Sequence, residues 1–149
     1  MNFFRAMDIS ASGLTAQRLR LDIIANNLAN AETTRTETGA PYRRQVPVFE
    51  ARRASESFSA IFDQLTEQSE RFDGGGVRVV GIQEDQSPFR LRYDPGNPDA
   101  DAQGYVRLPN VNVVTEMVDL ISATRAYEAN VTAINSAKTM ISRALEIGR

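Results

Sequence analysis

LDIIANNLANAETT, residues 21–34, has the apolar spacing of a helix but sets Asn26, Asn27 and Asn30 inside it. Asparagine suits a helix interior poorly, because its amide competes with the backbone for hydrogen bonds. The flanking sequence suggests a use for these amides. Met7, Leu14, Leu21 and Leu28 recur every seven residues, with Ala11, Ile24 and Ala25 beside them, forming the seam of a coiled-coil helix. A second seam, Ile9, Ala16, Leu19 and Ile23, lies about 150° round the same helix. The three amides fall opposite Leu21, Ile24, Ala25 and Leu28 and continue the second seam. The plain reading is a helix end that frays. The sharper reading is a row of contacts with a neighbouring chain, where an amide left unpaired penalises a slipped register.

The other end of the chain repeats the pattern. Met117, Leu120, Thr124, Tyr127, Val131, Ile134, Lys138, Ile141 and Leu145 follow coiled-coil spacing. Ala123, Ala126, Asn130, Ala133, Ala137, Met140 and Ala144 form a seam of mostly small side chains that lets another helix approach closely. Asn110 or Asn112 can cap the start, Glu116 and Asp119 favour the positive end of the dipole, and Arg143 and Gly148 suit the other end.

Between the helices the chain changes character. All six prolines, and every glycine except Gly13 and Gly148, lie between residues 39 and 109. YRRQVPVFEA (42–51), GGGVRVVGI (74–82), PFRLRYD (88–94) and GYVRLP (104–109) read as short strands, the first confined to an edge by Pro47. Phe58, Ile61, Phe62 and Leu65 have helical spacing in a polar stretch, which fits a short amphipathic helix or a mobile loop equally well. The fold class is therefore α+β: long N- and C-terminal helices pairing as an antiparallel-type coiled-coil layer, with a small β-rich middle domain looped out. The expected divisions are 1–34, 35–109 with a flexible 54–76 segment, and 110–149.

Composition excludes much. With 17 Lys and Arg against 19 Asp and Glu, a net charge of −2 gives no footprint for nucleic acid or an anionic membrane. Absence of Cys and His removes thiol nucleophiles, imidazole bases and the usual zinc ligands. No run approaches the ~20 apolar residues of a membrane span. The opening MNFFRAMDISASGL has no uninterrupted apolar core with a cleavage site after it, so no cleaved signal is expected.

DADAQG (99–104) imitates a calcium loop, but Asn110 stands where the bidentate Glu belongs and prolines flank it, so it reads as a turn. Gly74, Gly75 and Gly76 lack the Lys of a phosphate loop and read as a hinge before a strand. The acid pairs Glu84–Asp85 and Asp99–Asp101 read as solvated turns rather than hydrolytic pairs. No catalytic, cofactor or metal residue is assigned, and neither a cofactor nor a small-molecule substrate is expected.

Two seams per helix exceed what one intramolecular pairing covers, and leftover apolar surface marks a partner. Identical contacts that do not close generate a filament or tube. Residues alone thus point to a self-assembling or co-assembling structural protein. The assembly interface is placed at Leu14, Leu21, Ile24, Asn26, Asn27, Leu28, Asn30, Met117, Leu120, Tyr127, Asn130, Val131, Ile134 and Ile141. A coiled-coil adaptor that binds one partner helix is the alternative, and a peptidoglycan hydrolase a weaker one.

ISASGLTAQRLRLDIIANNLANAETT (9–34) resembles the N-terminal motif of flagellar rod and hook proteins, and RAYEAN (125–130) resembles their C-terminal motif. The run from YDPGNPDADAQGYV to INSAKTM (93–140) is similar to the proximal-rod member of that axial family. The resemblance implies a non-enzymatic rod subunit in the periplasmic basal body, passed uncleaved through the flagellar type III export apparatus. Its implied partners are copies of itself and other rod proteins, and its helices would form the inner layer of a tube. Residues 54–72 look longer than the corresponding link in many relatives, so the outer domain is the least transferable part.

Overall fold

A computed structural model describes residues 3–53 and 74–147. The Phe58–Leu65 helical spacing, most of the 54–76 segment and the Gly148 cap lie outside the described residues. The chain is α+β. Helix α1 spans Phe3–Ala29, strands β1 to β4 span Gln45–Arg53, Gly74–Glu84, Arg90–Tyr93 and Tyr105–Leu108, and helix α2 spans Val113–Ile147. None of the described helices is long and apolar enough to cross a membrane.

The breakers place the boundaries. Asn112 caps α2: its Oδ1 accepts from the amides of Val114 at 3.0 Å and Thr115 at 3.4 Å. Asn110, the other candidate cap, has a different task described below. At the C-terminal end of α1, the Asn26 carbonyl accepts twice from Asn30, from its amide at 3.1 Å and from its side-chain Nδ2 at 3.0 Å, which closes the last turn. The Thr33 amide then bonds the Asn30 carbonyl, and the Tyr42 amide bonds the Thr33 carbonyl, which fastens the returning chain.

All four expected strands form, but as two separate two-stranded sheets, β1–β2 and β3–β4. Between β2 and β3 the Asp85 carboxylate accepts from the Ser87 amide at 2.9 Å and its hydroxyl at 2.6 Å, a local turn that ends the strand. The β3–β4 pair is antiparallel, with Arg90 opposite Leu108, Leu91 opposite Arg107, Arg92 opposite Val106 and Tyr93 opposite Tyr105. Along β4 Tyr105 and Arg107 are exposed while Val106 and Leu108 are buried, the alternation of a strand with one covered face. DADAQG forms the turn between these strands. Asp101 Oδ1 accepts from the amides of Gln103 and Tyr105, both at 2.9 Å, and Gly104 takes the left-handed φ of 83°.

The chain comprises two compact units, Met1–Gln17 with Phe49–Val80 and Ala126–Arg149, and Arg18–Val48 with Gly81–Arg125. In the first, Ala16 and Ala137 are buried and α1 meets α2 closely: a Cβ added at Gly13 would lie 3.0 Å from Asn130 Nδ2. In that same unit β2 enters against α1. Ser12 Oγ accepts from the Val77 amide at 3.1 Å, and a Cβ at Gly76, whose φ is 94°, would lie 2.2 Å from that hydroxyl. The second unit buries Ile23, Ile24, Ala31, Val106, Leu108, Val111 and Ala123, together with two polar side chains, Asn27 and Glu116.

Candidate assembly site and an internal polar clamp

Within the second unit, Asn27 sits on α1 at 1% exposure and Glu116 in the first turn of α2 at 0%. Buried polar groups of this kind persist only when bonded. Asn27 makes four hydrogen bonds. Its Oδ1 accepts from the Gln45 amide and the Tyr42 hydroxyl, both at 2.9 Å, and its Nδ2 donates to the Gln45 carbonyl at 2.8 Å and Glu116 Oε2 at 3.1 Å. A side-chain amide can reproduce both halves of a strand pairing, and here it holds the first residue of β1 as a neighbouring strand would.

Glu116 Oε1 accepts from Arg44 Nε at 2.6 Å. The same guanidinium lies 3.7 Å from Asp85 Oδ2 and 3.5 Å from Asp119 Oδ2. Asp119 also accepts from Arg20 Nη2 of α1 at 2.9 Å. Burial works against the charge of Arg44, but the bond to Glu116 and the fields of Glu116, Asp119 and Asp85 outweigh it, so its pKa is raised. Burial, reinforced by the Glu116 and Glu84 carboxylates, raises the pKa of Tyr42. Tyr42 therefore stays a neutral phenol able to donate to Asn27. Hydrogen bonds from Ser87, and then the nearby Arg44, hold Asp85 below its ordinary pKa against a smaller opposing effect of burial.

Asn110 ties the loops to this cluster. Its Oδ1 accepts from the Arg44 amide at 2.8 Å and its Nδ2 donates to the Asp85 carbonyl at 2.9 Å. The expected helix cap is thus a bridge between the start of β1 and the end of β2. The arrangement is a structural clamp: every group is paired with a group of its own chain, and among the described residues no cluster of acids is set to hold a metal.

The residues expected at an interface part company here. In the subunit by itself Asn27 makes all four of its hydrogen bonds inside its own chain. Asn26 is exposed and donates to the Tyr42 hydroxyl at 3.3 Å, while Asn30 is half-buried and its Nδ2 also reaches Asn26 Oδ1 at 2.9 Å. Ile24 is buried in this unit, Leu21, Leu28 and Leu120 are half-buried, and Met117 is exposed. In the other unit Leu14, Tyr127, Asn130, Val131, Ile134 and Ile141 are all half-buried.

Two sets of residues escaped the sequence reading. Arg44, Asn110, Tyr42 and Arg20 carry no periodic signal, and Glu116 read as a dipole-facing acid. Val114, Val118 and Ile121 escaped as well, although their spacing carries a signal that could have found them. With Met117 they recur at i, i+3, i+4 and i+7, and they are 70%, 62% and 52% exposed, with Met117 at 54%. They form an apolar stripe on the side of α2 turned away from buried Glu116 and Ala123.

Comparison with known proteins identifies the chain. Residues 7–35 match the family described as flagella basal body rod protein, and residues 102–147 match the flagellar basal body rod FlgEFG protein C-terminal family. The chain is 50% identical to the flagellar basal-body rod protein FlgC of Borreliella burgdorferi over 99% of its own length and 98% of the relative's. It is 49% identical to FlgC of Bacillus subtilis and 42% identical to FlgC of Escherichia coli, in each case over 100% of both chains. Likeness of this degree along the whole chain establishes more than the shared axial motifs do: it is a structural subunit of the flagellum, not an enzyme, and it belongs to the FlgC family of flagellar basal-body rod proteins.

Proposed function

We propose that the chain builds the proximal part of the rod by packing α1 and α2 side by side with the same helices of neighbouring subunits. In this reading the helices pair as an antiparallel coiled-coil layer and line a tube, the middle residues 35–109 loop outward, and torque passes through many small helix contacts. The subunit travels through the flagellar type III export apparatus without losing a signal, to work in the periplasm. Its partners are copies of itself and other rod proteins.

The observation that carries the proposal is the stripe Val114, Met117, Val118 and Ile121, apolar and exposed on a helix whose opposite side is fully occupied. Burying such side chains contributes up to about 1.5–3 kcal/mol each, enough for a few to hold a joint. The half-buried Leu14, Leu21, Leu28, Tyr127, Val131, Ile134 and Ile141 extend the proposed contact along both helices. Asn26 and Asn30 set its register at the end of α1.

Val118→Asp tests this in cells. The carboxylate lies on an exposed site, so the subunit still folds and is exported, but rods stop short and motility is lost. Basal bodies isolated from the variant and imaged by electron microscopy provide the readout, with export followed by immunoblotting. Complete rods and normal swimming would refute the placement of the contact.

A further inference from the structure

The second unit carries a cleft of about 450 Å³ that the clamp does not use, set between the 34–41 loop and the β3–β4 hairpin. Both walls are built by their own hydrogen bonds. The Thr36 amide bonds the Ala40 carbonyl at 2.9 Å and the Asp101 amide bonds the Tyr105 carbonyl at 2.9 Å, while Thr34 Oγ1 donates to Asp99 Oδ2 at 2.7 Å across the cleft. Such walls are shaped before anything binds, which lowers the entropic cost of binding.

Arg35 and Arg107 line this cleft, and among the described residues neither guanidinium has an ion-pair or hydrogen-bond partner. Their neighbours differ: Arg43 donates to the Asp85 carbonyl and lies 4.4 Å over the Phe89 ring, Arg90 donates to the Val111 carbonyl, and Arg92 pairs with Asp94. The two acids in the cleft are already engaged, Asp99 by the Thr34 hydroxyl of the facing loop and Asp101 by two backbone amides of its own turn. Register places Leu91, Tyr93 and Tyr105 on the same hairpin face as Arg107, with the tyrosine rings 5.4 Å apart edge to face. Leu91 and Tyr93 are each 65% exposed. Exposed tyrosine beside unpaired arginine is the composition of a binding hot spot.

We propose that this cleft docks an acidic segment of a partner protein, its carboxylates received by Arg35 and Arg107 and its apolar side chains laid on Tyr105, Tyr93 and Leu91. Guanidinium groups bind carboxylates with two parallel hydrogen bonds, and two of them here stand without one. A continuous polyanion is a poor match, because Asp99 and Asp101 would repel the charges next to those that the arginines hold. A peptide chooses where its carboxylates fall.

The test uses the full-length chain and a dye-labelled peptide of alternating glutamate and leucine, about ten residues long, followed by fluorescence anisotropy. The wild-type chain binds it saturably, the double variant R35Q/R107Q binds about tenfold more weakly or worse, and a glutamine-for-glutamate version of the peptide binds as weakly. Both arginines are exposed, so an unchanged circular dichroism spectrum is expected of the variant. L91S, which keeps both charges, weakens binding to a smaller degree. The proposal is overturned if the wild-type chain does not bind the peptide, if the arginine variant binds it equally, or if phosphatidylglycerol vesicles or a single-stranded oligonucleotide bind more tightly through the same arginines.

Discussion

Glu116 and Met117 are adjacent on α2, yet the first is 0% exposed and the second 54%. The inversion of the usual rule, acid inside and thioether outside, separates two tasks within one helical turn. Glu116 serves the subunit's own fold, binding Arg44 at 2.6 Å and Asn27 at 3.1 Å. Met117 belongs to a stripe that its own chain leaves bare. A buried ion pair adds little net stability over an apolar core of the same shape, but breaking it is costly, so it favours one arrangement over others. An exposed apolar stripe behaves oppositely: it contributes nothing to the isolated fold and its free energy is realised only on contact. Substitutions in the clamp should therefore act on stability, and substitutions in the stripe on assembly.

The largest stability effect is expected at Glu116. Glu116→Ala takes from the Arg44 guanidinium its closest acceptor, leaving only the longer ion pairs to Asp85 and Asp119, and strands one donor of Asn27; it should lower unfolding free energy by about 3–5 kcal/mol, measured by urea denaturation of the full chain. A loss below ~1 kcal/mol would mean that water replaces the carboxylate without penalty. Next comes Asn27→Leu, alike in branching but bulkier and unable to bond the Gln45 backbone or Glu116. A loss of about 2–3 kcal/mol is expected from these unpaired groups, and a neutral result would remove Asn27 from the clamp.

Acid should loosen the same region by a smaller step. The folded-state pKa of Asp85 is below its ordinary 3.8, so the stability it supplies is present above that value and disappears as pH falls through the depressed one. Comparing urea midpoints from about pH 5 down to about pH 2 for the wild type and Asp85→Asn should show a steeper acid decline in the wild type. Parallel curves would contradict the linkage. The smallest stability effect is expected in the stripe, where Val118→Asp should shift the unfolding free energy by no more than about 0.5 kcal/mol while removing rod assembly. Equal losses in both measurements would erase the distinction between the two regions.

The two helices and four strands among the described residues were legible because periodicity and breakers are local: seven-residue recurrence, and prolines and glycines gathered between residues 39 and 109. That Asn26, Asn27 and Asn30 had a purpose was also legible, since three amides conflict with the helix around them. Which way each pointed was not. A projection places Asn27 on a face, but its burial depends on Gln45, 18 residues away, and on Glu116, 89 residues away. Asn110 illustrates the same limit, because a cap and a bridge between distant loops look alike until the loops are placed. The stripe was only half read, since heptad spacing selects Met117 and Leu120 and passes over Val114, Val118 and Ile121, which complete a broader face.

In the proposed rod, α2 meets a neighbouring subunit through the side its own chain leaves uncovered. A density map of intact basal bodies, at a resolution that separates side chains, is the decisive measurement. A helix of an adjacent rod subunit is expected over Val114, Met117, Val118 and Ile121, with Asn27, Arg44 and Glu116 keeping the contacts described above. A rod in which these four side chains face open solvent, with subunits joined through other surfaces, would contradict that placement.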